Sequence, residues 1–547
     1  METDRYGGVD FGTTTTLVAS PEGLVRLGAA TLAMPSLVGF ADNGTAVAGI
    51  EEEAEYAGRV VRSIKRAITM GQAQARVDLP DGPRDVRADD LMVAVLREAA
   101  RRADTQGLDL NSAHVVVGCP AMWDGQQRRR LLHVAEEAGI TVGLADLIDE
   151  PVAAGIAWLS RRRPDTSVPL RIVVFDMGGG TLDVAVLDVR GVRARDVSVL
   201  AALGNTFAGD ALDEAIAEDI EEMVGVDVET LPNPARARLR LADVAREAKL
   251  ALTADTEFEV SLPARIFGPG AEVTYTRDRL EEAFKPIMDR AEETVIAALR
   301  TARLTEQAAG SPYEIRRLPM DALVSGVDVV VLSGGMARIP YVTTRLRALF
   351  PAPTAIELAV ETTERSTQEQ LALGPECAVA LGLARAGEYG RVNMYRPALD
   401  IWLEWEDESR LVYQAYTPIV LPWQTMVGGN DLRYVRNGLD LQLPRHGSGR
   451  LRVTSYTGTR VRATLGGQSL DGFPVALSEQ KFEFSLYPNG RLRLVDGSGE
   501  YEGQIDDWHI MLGADHAERV ARLVEPRRPD PPVEYPFNIE RVDPFGR

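Results

Sequence analysis

Two short segments carry residue types that can handle phosphate. Tyr6–Ala19 reads YGGVDFGTTTTLVA and Val173–Val186 reads VVFDMGGGTLDVAV. Each is an apolar run, an aspartate, a turn of glycine and threonine, and a second apolar run. Glycine has no β-carbon, so backbone N–H groups at such a turn can approach a phosphate closely. Gly12, Thr13, Thr14 and Thr15 form the first turn; Gly178, Gly179, Gly180 and Thr181 form the second. Asp10 and Asp176 end their strands just before the turn. There a carboxylate can hold magnesium through its waters, or orient and deprotonate an attacking water. One copy alone reads equally well as an ordinary hairpin. Two copies in register predict two similar halves facing one polyphosphate.

Three further segments extend the set. Ser333-Gly334-Gly335-Met336-Ala337-Arg338 follows an apolar run and precedes a helical one. Its bare backbone can lie against a flat nucleoside, with Arg338 stacking on the base; a plain strand–turn–helix is the alternative. Ser63-Ile64-Lys65-Arg66-Ala67-Ile68 puts a lysine on a mostly helical stretch, where its ammonium can stabilise charge on a transferring phosphoryl group. Lysine stands at only four positions (Lys65, Lys249, Lys285, Lys481), so arginine supplies 56 of the 60 cationic side chains. A retained lysine is then more apt to need its compact charge. Ile148-Asp149-Glu150-Pro151 ends a strand and opens a helix with proline in its first turn; Glu150 can bind a magnesium-held water or simply cap the helix.

The elements that must position these residues follow from periodicity. Apolar runs such as Ile172–Phe175 and Val329–Leu332 predict buried strands. Arg128–Ala138 and Arg277–Ala302 predict helices, and their alternation with strands is the α/β pattern, here over residues 1–388. After a linker at 389–397, residues 398–512 change character. Short strands are expected at Leu411–Ala415, Asp440–Leu443, Leu451–Tyr456, Val461–Leu465, Phe482–Leu486 and Arg491–Val495, with turns at Gly428-Gly429-Asn430, Gly447-Ser448-Gly449, Gly466-Gly467 and Pro488-Asn489-Gly490. That pattern predicts an antiparallel sandwich or barrel. Residues 513–547 are expected to hold a short helix at Ala514–Leu523 and a proline-rich tail.

Composition narrows the classes. The chain has 547 residues, too many for one core. A net charge of -21 argues against nucleic acid or an acidic membrane surface as partner. Cys119 and Cys377 sit in no metal spacing and form no disulfide framework. No signal peptide and no apolar run long enough to span a membrane is read, so a cytoplasmic location is expected. There is no Walker lysine motif, and the five histidines form no constellation.

The motifs GVDFGTTTT, IKRAI, CPAMW, IDEPVAAGIAW, FDMGGGTLDVAVLD and LSGGMARIP, in this order, resemble the seventy-kilodalton heat-shock chaperones over residues 5 to 388. The resemblance implies an actin-like (ribonuclease H-like) domain with two lobes around a cleft, binding ATP with magnesium and hydrolysing it to ADP. By match, Thr13 and Thr14 contact the phosphates and Asp10 lies beside the metal. Lys65 lies near the γ-phosphate. Glu150 and Asp176 hold the magnesium waters and the attacking water. Gly178, Gly179 and Thr181 bind the β- and γ-phosphates, with Asp183 as support. Gly334, Gly335 and Arg338 frame the adenosine, together with Lys249 and Thr253. Pro120 resembles the family's switch proline, with Arg128 as its partner.

The departures fall at the nucleoside end. Arg246 and Leu250 stand where the family has a glutamate and an arginine. Phe207-Ala208-Gly209-Asp210 keeps Gly209 but lacks a second glycine; Met336 replaces a serine and Glu376 an aspartate. Weaker base selectivity is therefore expected. Gly390–Tyr395 lacks the family's leucine-rich acidic linker, and too few residues follow Leu512 for its helical lid. Two readings stay open: an ATP-dependent chaperone whose β-domain binds protein clients, with a co-chaperone and exchange factor as further partners, and an ATP-controlled adaptor for one folded partner. A filament-forming relative and a small-molecule kinase are further alternatives.

Overall fold

The computed structural model describes residues 6–389 except 30, 52–58, 81, 124, 143–145, 165, 192–195, 270, 307–317 and 362–373; beyond 389 it describes the strands between 399 and 523 and the turn at 498. Two sheets carry the site, one of five strands and one of six, the sixth being the short strand Met34–Pro35 that pairs with Thr15 and Thr16. The first takes β1 (Tyr6–Phe11), β2 (Thr15–Ser20), β3 (Gly23–Val25), β4 (His114–Cys119) and β5 (Leu147–Asp149), in the order β5-β4-β1-β2-β3. The second takes β6 (Thr166–Met177), β7 (Leu182–Gly191), β8 (Asp196–Asn205), β9 (Val329–Ser333) and β10 (Ala355–Leu358), in the order β10-β9-β6-β7-β8.

The two orders are the same when matched strand for strand, and so are the directions. β1 pairs parallel to β4 and antiparallel to β2; β6 pairs parallel to β9 and antiparallel to β7. Register agrees as well. Asp10 lies opposite Leu17, and Asp176 opposite Asp183, each seven positions on. Both turns close alike: Gly12 N–H donates to Thr15 O and Gly178 N–H to Thr181 O, each at 3.0 Å. The echo in the sequence is thus a duplicated hairpin in a duplicated sheet. The central strands are buried on both faces, which is why they read as unbroken apolar runs.

Between the sheets lie α3 (Glu150–Arg162) and α7 (Ala378–Ala384), following α1 (Arg66–Thr69) and α2 (Gly125–Glu137) and separated by α4 (Gly209–Val224), α5 (Pro234–Ala251) and α6 (Arg277–Glu306). Residues Glu150 to Ser160 are buried all round the helix. Small side chains make that packing possible. A β-carbon on Gly382 of α7 would strike the backbone of Ala153, one on Gly155 would press on Val174 and Leu187 of the second sheet, and one on Gly8 would strike α7. Pro151 in the first turn and Arg161 and Arg162 in the last suit the helix ends. The resulting core joins Ile148 and Val152 to Val174, Val331 and Leu383. Helix α3 therefore fixes the distance between the two hairpins.

Beyond 389 the structure is strand-rich. His446–Ser455, Arg460–Leu465, Glu483–Leu486 and Arg491–Asp496 fall where strands were expected, and Gln414–Pro418 overlaps a fifth. Residues 436–445, 466–467 and 487–490, with the expectations placed there, lie outside the described residues, as do 390–398, 428–430 and 411–413. Two readings need correction. Gly447-Ser448-Gly449 is not a turn but part of a strand, paired with Ala476, Val475 and Leu477. Glycine repeats mark turns only when no neighbouring strand offers its hydrogen bonds. The helix expected over 514–523 is also wrong at its end: Val520–Leu523 is a strand, parallel to Arg462–Leu465 and antiparallel to Gly503–Ile505. Tertiary pairing overrides a short segment's helical tendency.

Candidate functional site at the tips of the paired hairpins

The two glycine turns meet. A β-carbon on Gly179 would collide with Thr14 Oγ1 and one on Gly180 with Thr13 Oγ1. Only bare backbone permits this approach, so the glycines are required by the neighbouring turn itself. Around the contact lie Asp10, Thr13, Lys65, Glu150, Asp176 and Asp183, all buried.

Lys65 forms an ion pair with Glu150 and lies 5.5 Å from the centroid of the Trp123 ring. Asp183 Oδ1 accepts the Ala121 N–H at 2.7 Å, while its Oδ2 is buried with no hydrogen-bond partner among the described residues. Four buried carboxylates thus face one ammonium. Burial, then the charge of Glu150, pushes Asp10 up to about 8. The same two causes push Asp176 up to about 7, against a hydrogen bond from Ser333, and raise Asp183 well above the carboxylate range. Burial alone would depress Lys65, but Glu150, Asp10 and Asp183 together outweigh it and raise its pKa. Such repulsion is relieved by a divalent cation, and an all-carboxylate set with one oxygen unpartnered suits a hard ion. Among the described residues no three His, Cys, Asp or Glu side chains converge to ligate a metal directly; the set suits an ion that keeps its water shell.

The second turn is tied to the start of α4. Gly209 N–H donates to Gly178 O at 3.1 Å and Asp210 N–H to Gly179 O at 2.6 Å. Lys249, from α5, donates to Gly209 O at 3.1 Å and pairs with Asp213 at 2.7 Å. Arg246 reaches the same carboxylate at 3.8 Å. Arg338 forks onto Glu376 at 2.6 and 3.0 Å. Gly334 has φ +82°, with Met177 O where a β-carbon would stand, whereas Gly335 has open space in front of it. Thr253 is half-buried, its hydroxyl bonded to Leu250 O at 2.7 Å, and Leu250 is 62% exposed. The structure therefore gathers the residues of the two turns tightly, joins Lys249 to Gly209 and Arg338 to Glu376, and engages the Thr253 hydroxyl with Leu250 O.

The sequence placed Arg128 beside Pro120 but missed its main partner, and it missed a bridge between the halves. Arg128 does reach Pro120 O, at 3.5 Å, but its main partner is Asp149 at 2.7 Å. It also donates to Trp123 O at 3.0 Å and to Cys119 Sγ at 2.9 Å. A second missed group bridges the halves: Arg62 pairs with Asp243 at 3.2 Å, and Asp210 accepts Ser63 Oγ at 3.0 Å and pairs with Arg66 at 3.4 Å. Ser63 sits in the left-handed region at φ 51°. A non-glycine residue there costs about 1 kcal/mol or more, and such strain collects at clamps and sites. These pairings span well over a hundred positions, beyond any local signal; only the polar cluster Arg62-Ser63 beside Lys65 hinted at them.

Comparison with known proteins agrees with this architecture. The family model described as Hsp70 protein matches residues 7–361. "Chaperone protein DnaK" of Thermosipho africanus is 30% identical over 63% of this chain and 54% of its own length, and that of Thermotoga petrophila is 28% identical with similar coverage. "Stromal 70 kDa heat shock-related protein, chloroplastic" of Pisum sativum is 27% identical over 95% of this chain and 73% of its own. The chain thus spans about half the length of the bacterial relatives it matches. Duplicated hairpins meeting tip to tip, two sheets of one topology and a match over most of the chain lead to one conclusion: the protein belongs to the Hsp70 family and carries its actin-like, two-lobed domain.

Proposed function

We propose that this protein binds ATP with magnesium, hydrolyses it to ADP and phosphate, and acts as a chaperone whose β-rich region takes protein clients. The observation that carries the reading is the meeting of the two glycine–threonine turns over a buried cluster of Asp10, Asp176, Glu150 and Lys65. Backbone N–H groups of Gly179 and Gly180, with the hydroxyls of Thr13, Thr14, Thr15 and Thr181, cradle the β- and γ-phosphates, while Gly12 and Gly178 shape the two turns through their own N–H bonds to Thr15 and Thr181. Lys65 places its charge beside the γ-phosphoryl group, where negative charge spreads during transfer. Asp10, Glu150 and Asp176 would hold a magnesium ion through its waters, and Asp176 orients an attacking water and takes its proton. Bound magnesium supplies the positive charge that lets phosphate and these carboxylates share one pocket. Gly209, Lys249, Gly334, Gly335, Arg338 and Glu376 bound the nucleoside; Thr253 lies at its outer edge.

The relatives named as chaperones support the client-binding half of the reading, and the stromal relative aligns through the C-terminal region as well. One sequence observation favours a second reading. Gly390–Tyr395 lacks a leucine-rich acidic linker, which suits an adaptor with one dedicated partner. We place the protein in a reducing compartment, the cytoplasm on its sequence, consistent with its two buried cysteines, neither of which is in a disulfide; the pea relative's name is that of a plastid protein. No helix among the described residues is long and apolar enough to cross a membrane.

The deciding experiment titrates a panel of labelled unfolded apolar peptides without nucleotide, with ADP–Mg and with ATP–Mg, in the wild type and Lys65→Ala. Peptide binding that ATP shifts several-fold in the wild type alone upholds the chaperone reading. ATP hydrolysis with no peptide bound in any state moves the adaptor to first place. No hydrolysis at all defeats both.

A further inference from the structure

We propose that Trp123 is the positioning residue for Lys65, resting on the placement of Lys65 at the transferred phosphoryl group. The indole is fully buried. Its ring lies beside the Lys65 ammonium, 5.5 Å from Nζ to the centroid. Its Nε1–H donates to Thr69 Oγ1 at 3.1 Å. Thr69 follows Lys65 by four positions, so the ring straddles one short helical turn, gripping its end by a hydrogen bond and its start by a cation–π contact.

The backbone of Trp123 is fixed as firmly. Its N–H donates to Pro120 O at 3.1 Å, and its carbonyl accepts Arg128 Nε at 3.0 Å. Arg128 is in turn paired with Asp149, and the next residue, Glu150, holds Lys65 from its other side. The contacts close a ring: Lys65, Trp123, Arg128, Asp149, Glu150 and back to Lys65. Lysine has four rotatable bonds in its side chain, and a single carboxylate fixes one point of it. The indole supplies the second point. It also excludes water from the ammonium, which strengthens its attraction for phosphoryl oxygens.

Two consequences separate positioning from mere packing. Loss of the aromatic face must lower the rate of the chemical step more than the affinity for nucleotide. A cation beside the ring must also make Trp123 fluorescence depend on where the ammonium sits. The test uses the full chain with ATP–Mg, comparing wild type, Trp123→Phe and Trp123→Leu. For Trp123→Leu we expect kcat to fall roughly tenfold, the size of a desolvated cation–π contact, with KM and ADP affinity within about twofold. Trp123→Phe, which keeps an aromatic face, recovers most of kcat. The fluorescence difference between ATP–Mg and ADP–Mg states is expected in the wild type and lost in Trp123→Phe, although five other tryptophans remain. Should Trp123→Leu not fold, the Phe variant's spectral readout decides. Wild-type turnover with an unaltered kcat in Trp123→Leu, or an undiminished spectral change in Trp123→Phe, overturns the proposal alone. Absence of wild-type turnover overturns the ATPase reading and this proposal with it.

Discussion

Replacing Arg128 by methionine tests the frame that holds the site. The Arg128 and Asp149 side chains are each 2% exposed, and their charged atoms are 2.7 Å apart. Removing the cation leaves a carboxylate in the interior with its chief partner gone, and takes donors from Trp123 O and Cys119 Sγ. Breaking one side of such a pair costs about 3–5 kcal/mol, because the surviving charge has lost both water and partner. Asp149→Leu alone is expected to cost a similar amount. The double variant is different: methionine and leucine fill the space with no charge left over. Its main loss is the donor to Trp123 O, about 1–2 kcal/mol. The cycle therefore predicts a coupling of about 3 kcal/mol or more. Urea unfolding followed by circular dichroism, with hydrogen exchange on peptides from 114–137, separates this region from the C-terminal strands. The reasoning fails if Arg128→Met costs under about 1 kcal/mol, or if the double variant loses as much as both single variants combined.

Further outcomes are expected. Lys65→Ala is expected to cut hydrolysis by about a hundredfold or more, since a preorganised charge at the phosphoryl group is worth that much, with ADP affinity little changed in a titration. Arg62→Gln and Asp243→Asn, which each break a half-exposed contact between the two halves, should speed release of labelled ADP by about two- to fivefold, more at low salt than at high, in a stopped-flow assay. Equal release rates from wild type and both variants would remove any role for that bridge. Gly334→Ala is expected to lower stability by about 2 kcal/mol or more, because φ +82° and Met177 O both oppose a β-carbon; a thermal shift of less than one degree contradicts this. The wild type should discriminate weakly between ATP and GTP, and Leu250→Arg, an open position, should raise ATP affinity; strong discrimination in the wild type would refute the reading of Arg246 and Leu250.

Much of the candidate site could be read from the chain itself. Asp10 and Asp176 stood out because each ends an apolar run shortly before glycine and threonine, and because the pattern occurs twice in register; a single copy reads equally well as an ordinary hairpin. The strand Val329–Ser333 and the helix at Glu150 could be read in the same way, from apolar continuity and from proline in a first turn. Those signals are local, a few residues long, and hydrogen-bond geometry within one hairpin or one helix end is enough to fix them. The two errors arose where local signals compete with distant partners. Gly447-Ser448-Gly449 reads as a turn until a neighbouring strand claims its N–H and carbonyl groups, and Val520–Leu523 reads as helix until two strands flank it.

What the sequence determined by itself was therefore the chemistry on offer: two glycine–threonine hairpins able to hold phosphate, carboxylates able to hold a hydrated metal, a lysine on a helical stretch and their order along the chain. What only the tertiary structure decided was which groups touch. That Thr13 meets Gly180 and that Arg62 bridges to Asp243 depend on how the two halves pack together, whereas Lys65 between Glu150 and Trp123 and Arg128 on Asp149 depend on packing within the first half. The physical reason is that charge and cation–π interactions act over a few ångströms of space and carry no imprint on neighbouring residues in the chain. Partners far apart in sequence are chosen by the packing of the cores beneath them, and that packing is a property of the folded whole.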